Sequence, residues 1–211
     1  MGLKDKSIVF LGDSITEGHG TTAPDKVFHQ IIKAEHGLKM AYNAGIGGTR
    51  IAKQTNVSDE HKYDLYFASR VEFLPKFADA VVAFGGTNDY GHGDAKMGDI
   101  CSDDVYTFYG GLNVLYKNLK DRYPSAKLIF MTPLKRTNET DPHPPENKIL
   151  ADYVEAIKAF CNEKSISLID LYESNVFDPY DADFVPDGLH PNDRGHAVMA
   201  EYIAEKLNEI L

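Results

Sequence analysis

Short apolar runs, closed by glycine, proline, asparagine or aspartate, alternate along the chain with longer segments of helical period. The runs lie at 8–11, 39–42, 80–84, 127–131 and 166–169, and they predict five strands. Between and after them, Val105, Phe108, Leu112, Leu115 and Leu119 recur at spacings of three and four. Ile149, Tyr153, Ile157 and Phe160 do the same, as do Met199, Ile203, Leu207 and Ile210. That period puts each set on one face of a helix. Strands alternating with helices read as βαβ units around a parallel sheet, an α/β fold. Two polar stretches, 50–65 and 90–104, exceed the usual 2–6-residue connection, and they are expected to be insertions beside a site. In Asp141-Pro-His-Pro-Pro145, the last two prolines are expected to open the helix that follows.

Composition narrows the classes. At about 150 residues per domain, the 211 residues predict one domain spanning 1–211, and no repeat or linker divides it. With 43% apolar and 26% charged residues and a mean hydropathy of −0.34, the chain reads as a soluble globular protein. No run approaches the ~18 apolar residues of a membrane span, and the apolar segment at 8–11 is too short for a cleavable leader. A cytoplasmic location is therefore expected. Cys101 and Cys161 alone make neither a disulfide framework nor a zinc site. The 22 basic against 32 acidic residues, a net charge of −10, oppose binding to a nucleic-acid backbone. The same surplus points toward a neutral substrate rather than an anionic one.

Ligands of open α/β sheets bind beyond the carboxyl ends of the strands, so the segments there carry the candidate chemistry. The first run ends in Gly12-Asp-Ser-Ile-Thr-Glu-Gly18. Ser14 with Glu17 three residues on satisfies a capping box, and it also sets a hydroxyl at a strand-to-helix turn. This is not the G-x-S-x-G elbow, because Thr16 stands two after the serine. The second run ends in Asn43-Ala-Gly-Ile-Gly-Gly48 and the third in Gly86-Thr-Asn-Asp89. Both are turn formers that also offer N–H groups to a ligand. Before the last helix, Asp187 and His190 lie three apart, so a carboxylate there can accept from one ring nitrogen and leave the other free as a base.

Together, Gly12-Asp-Ser-Ile, Asn43-Ala-Gly-Ile-Gly-Gly48, Gly86-Thr-Asn-Asp89 and Asp187-Gly-Leu-His190 resemble, in order, the four sequence blocks of the SGNH hydrolase, or GDSL esterase/lipase, family. The resemblance spans nearly the whole chain; the one departure is Ile15 where the family has leucine. It implies a three-layer α/β/α, flavodoxin-like fold with a five-stranded parallel sheet in the order 2-1-3-4-5. It also implies a nucleophile at Ser14, triad partners at Asp187 and His190, and an oxyanion hole from the N–H groups of Ser14 and Gly48 with the Asn88 amide.

The expected activity is hydrolysis of a short-chain, acetyl-like ester of a polar alcohol such as a carbohydrate. It would proceed through an acyl-serine, without cofactor or metal, on a small-molecule partner and with neither nucleic acid nor membrane. Tyr90 and His92, in the polar loop after the third run, are candidate substrate contacts, and His19 and His196 receive no role. Two other classes use the same residues. Asp13, Asn88, Asp89, Asp187 and His190 could hold a divalent metal for phosphoester hydrolysis. The turn 12–18 could hold a phosphate in a non-catalytic flavodoxin-like module.

Overall fold

The computed structural model describes residues 2–211. The five apolar runs become β1 (Ser7–Gly12), β2 (Met40–Gly45), β3 (Ala80–Phe84), β4 (Lys127–Met131) and β5 (Ser167–Ile169). They form one sheet in the order β2-β1-β3-β4-β5, and every neighbouring pair is parallel. All residues of β3 are buried, as expected of a central strand covered on both faces. The α-helices are α1 (Ser14–Glu17), α2 (Phe28–His36), α3 (Phe67–Arg70), α4 (Thr87–His92), α5 (Phe108–Arg122), α6 (Leu150–Lys164) and α7 (Asp193–Ile210).

Strand alternation divides the core into two layers. Val9, Leu11, Val81, Ala83 and Phe130 face one way and pack with residues of α3, α5 and α6. Ile8, Phe10, Val82, Phe84 and Ile129 face the other and pack with residues of α2 and α7. The predicted stripe Phe108, Leu112, Leu115 and Leu119 is fully buried, each side chain contributing about 1.5–3 kcal/mol by leaving water. No helix among the described residues is long and apolar enough to cross a membrane.

Three element boundaries differ from expectation. β2 runs through Asn43 and Ala44 to Gly45, paired residue by residue with β1 up to Gly12. The backbone ladder needs no apolar side chain at a sheet edge, so the strand outlasts its hydrophobic pattern. Val105 lies before α5, because the Thr107 hydroxyl accepts from Gly110 N–H and sets the helix start after it. Likewise α6 begins at Leu150, where the Asp152 carboxylate accepts from the N–H of Ile149. Pro144 and Pro145 therefore belong to the preceding loop and do not open the helix.

The carboxyl ends of β1, β2 and β3 meet at one edge, at the switch point of the strand order. β1 leads into α1, β3 leads into α4, and the loop after β2 lies beside them.

Candidate active site

Ser14 opens α1 at the end of β1. The cap of that turn is Asp13, whose carboxylate accepts from the N–H of Ile15 at 3.1 Å. The expected Ser14–Glu17 capping box does not form. Glu17 instead reaches across to accept from Gly47 N–H at 2.8 Å, and the Ser14 hydroxyl is left to the cleft. Burial drives the Asp13 carboxyl up to about 7, against the Ile15 N–H and the Arg70 charge, which lower it.

From the loop before α7, His190 Nε2 lies 3.0 Å from Ser14 Oγ. Its Nδ1 lies 2.7 Å from Asp187 Oδ2, and the other Asp187 oxygen accepts from the N–H groups of Leu189 and His190. Burial raises the Asp187 carboxyl, but those N–H groups and the imidazole outweigh it and hold the group at about 2. An ionised Asp187 keeps the His190 proton on Nδ1, so Nε2 is the bare acceptor facing the serine. Desolvation lowers the His190 imidazole below its usual value; Asp187 opposes that shift, while His19 and Arg136 add to it. The His19 ring stands 4.3 Å from that of His190, a neighbour that no sequence motif announced.

Opposite the serine lie Gly48 and Asn88. Gly48 has φ +73°, the left-handed region in which a Cβ is strained. Among the described residues the Gly48 and Ser14 N–H groups have no protein acceptor, whereas Gly47 N–H is taken by Glu17. One Asn88 amide hydrogen goes to Thr49 O at 3.0 Å, leaving the second for a ligand.

Residues 87–92, which read as a turn, form a helix, so Asn88 and His92 share one of its faces. His92 Nε2 lies 3.0 Å from Asn88 Oδ1, and its Nδ1 meets an Arg50 guanidinium nitrogen. A guanidinium only donates, so Nδ1 must accept and Nε2–H must donate to Asn88. His92 is kept neutral, at about 4, by burial and by the Arg50 and Arg136 charges. It lines the cleft, but both ring nitrogens are already occupied.

Tyr90 is a correction. It is fully buried in the core, edge-on to Tyr153 and His143, and its hydroxyl donates to the carbonyls of Asn138 and Asp141. The helical phase of α4 turns it away from the cleft, so it cannot touch a substrate there. Asp89 and Asp13, candidates for a metal, are also buried. Asp89 accepts from the N–H groups of Ile51 and Ala52 at 3.0 and 2.9 Å, and burial raises it to about 6. Among the described residues the one metal-like cluster is His19, Asp187 and His190, and Asp187 Oδ2 is already bonded to His190 Nδ1.

The cleft holds about 400 Å³ and is lined by Ser14, Gly48, Asn88 and His190 together with Lys62, Tyr63 and Arg136. The 50–65 stretch does cover the site, through Lys62 and Tyr63. Of 90–104, only His92 reaches the lining; Asp94 braces the other loop by accepting from the N–H groups of Thr55 and Asn56. Beneath, the buried Arg70 donates to Ala44 O at 2.7 Å, Gly12 O at 3.0 Å and Thr49 Oγ1 at 3.2 Å, tying together the ends of β1 and β2 and the loop that carries Gly48.

Residues 10–198 match the model of the GDSL-like lipase/acylhydrolase family. No curated protein matches the chain. Among solved structures, one crystal structure is 30% identical, covers 100% of this chain and 99% of its own, and has a TM-score of 0.88. A protein from Lactobacillus plantarum is 27% identical over 99% of both chains, with a TM-score of 0.82. An acetyl xylan esterase is 22% identical, covers 97% of this chain and 99% of its own, and at a TM-score of 0.65 shares the fold. With its four sequence blocks converging on one cleft and the family model spanning most of its length, the chain belongs to the GDSL-like lipase/acylhydrolase family.

Proposed function

We propose that the protein hydrolyses a carboxylic ester bearing a short, acetyl-like acyl group on a polar alcohol, such as a carbohydrate, through an acyl-serine intermediate. The observation that carries this reading is the hydrogen-bond chain from Ser14 Oγ through His190 to Asp187 at the wall of the cleft. His190 Nε2 takes the serine proton as Oγ attacks the carbonyl, and Asp187 stabilises the imidazolium. The tetrahedral oxyanion is received by the N–H groups of Ser14 and Gly48 and the free hydrogen of the Asn88 amide. His190 then returns its proton to the leaving alcohol, and a water attacking the acyl-serine repeats the sequence.

Apart from Ile46, Leu189 and the Tyr63 ring, the cleft is lined by polar or charged groups and glycines, which offers little to a long acyl chain. The acetyl xylan esterase with the same fold acts, by its name, on a short acyl group on a carbohydrate. The test is Ser14→Ala assayed with p-nitrophenyl acetate and decanoate. Loss of turnover without loss of thermal stability is expected, along with a wild-type preference for the acetate. Retained turnover would remove the acyl-serine, and preference for the decanoate would remove the short-acyl assignment.

A further inference from the structure

After β4 the chain passes through Arg136, whose guanidinium borders the same cleft as Ser14 and His190. Its placement is over-determined. Nε donates to Asn138 Oδ1 at 2.7 Å, and Nη1 donates to Thr87 O and Oγ1 at 3.3 and 3.2 Å. The guanidinium carbon lies 5.4 Å from the centre of the Tyr90 ring. Gly91 makes the space, since a Cβ there would stand 2.8 Å from Nη1.

What this cradle lacks is a contact ion pair: the Asp187 and Asp13 carboxylates act on the guanidinium only from a distance. Among the described residues no carboxylate lies within 4.0 Å of the Arg136 side chain. Its outer nitrogen, Nη2, donates to no protein acceptor, yet it is not among the buried unpartnered atoms, so it is accessible on a side chain that lines the cleft. Arg70, by contrast, spends both Nη groups on protein oxygens. A half-buried cation without a contact partner costs desolvation energy that the more distant carboxylates offset only in part. Rigid placement with one edge of the planar fork free is the arrangement that recognises a carboxylate or a similar oxyanion.

We infer that Arg136 forms an anion subsite, and that the preferred substrate is an acidic ester whose alcohol portion carries a carboxylate or comparable oxyanion. The inference rests on the short-acyl reading above: an acetyl-like group has no room for a charge, so the alcohol must bear it. It revises the expectation of a neutral substrate, because the net charge of −10 describes the whole surface, while the cleft is lined by the cations Arg136 and Lys62 against the Glu17 carboxylate, which is already engaged with Gly47 N–H.

The matched probes are 4-acetoxybenzoate and its methyl ester, assayed with wild type, Arg136→Met and Arg136→Lys at low and high salt. Wild type is expected to favour the acid by kcat/KM. In Arg136→Met that preference should fall at least tenfold, chiefly through KM, and Arg136→Lys should restore part of it. Added salt should erode the wild-type preference. A merely structural role for Arg136 would lower both esters together and leave their ratio unchanged, which overturns the subsite. Ser14→Ala separates the two ideas: its retained turnover defeats the esterase reading, whereas an unmoved ratio with an inactive Ser14→Ala defeats only the subsite.

Discussion

His92 was expected to touch substrate, yet its two bonds make it the support of Asn88. The Arg50 guanidinium fixes the tautomer, the tautomer fixes which Asn88 atom faces the ring, and that leaves the amide N–H₂ toward Thr49 and the cleft. Asn88→Ala should therefore lower kcat by about 10²–10³-fold, the loss of one side-chain oxyanion donor. His92→Phe, which cannot donate, should lower kcat by a smaller factor with KM little changed. A His92 variant that raised KM alone would return it to substrate binding. On the proposed mechanism His190 sets the pH dependence: only its neutral form can accept from Ser14, and its folded value is lowered, with desolvation the largest cause. The acid limb of kcat/KM is expected at a midpoint below histidine's usual ~6.5, as read from a pH–rate profile.

At the scale of elements, what could be read from the sequence depended on whether chemistry was carried by short adjacent residues or by helical phase. Ser14, Asn88, Asp187 and His190 sit in compact blocks next to strand ends, so their convergence was legible. Tyr90 was misread because 87–92 looks like a turn; as a helix, it sends residue 88 to the cleft and residue 90 to the core. Arg136 belongs to no motif, and its only signal was its position after β4, at the same carboxyl edge. Arg70 lies in α3, a single turn of four residues that no hydrophobic repeat announced. It is the joint between β1, β2 and the Gly48 loop, and although burial lowers it to about 10, it stays charged at neutral pH. Arg70→Met would take a donor from the Ala44 carbonyl and the Thr49 hydroxyl, at roughly 1–3 kcal/mol each before relaxation, while the Gly12 carbonyl keeps the Ile46 N–H. A fall in Tm of several degrees with a drop in kcat is expected by thermal melt and assay; an unchanged Tm would deny Arg70 this joint.

For the whole molecule, acid stability is set by buried groups as well as by the surface surplus of acids. His29 and His196 are both fully buried and, chiefly through desolvation, lowered to about 4. Between about 6.5 and 4 the unfolded chain takes up protons that these rings refuse, so they withdraw stability as pH falls. Asp13 and Asp89, raised to about 7 and 6 by burial, act oppositely, because the folded chain holds their protons more tightly. Replacing His29 by Gln removes one term. Relative to wild type, the variant should gain roughly 1.4 kcal/mol per pH unit on acidification from about 6.5 to 4, measured by denaturant unfolding at several pH values. A difference independent of pH would mean that His29 is not buried in its neutral form.

The bond between Ser14 and His190 closes a loop of 176 residues, from the end of the first strand to the threshold of the last helix. During synthesis Ser14 leaves the ribosome long before His190, and no fragment that stops short of residue 190 holds both. On the proposed mechanism, hydrolytic competence therefore waits for residue 190, and the growing chain stays silent toward esters until all five strands have been made.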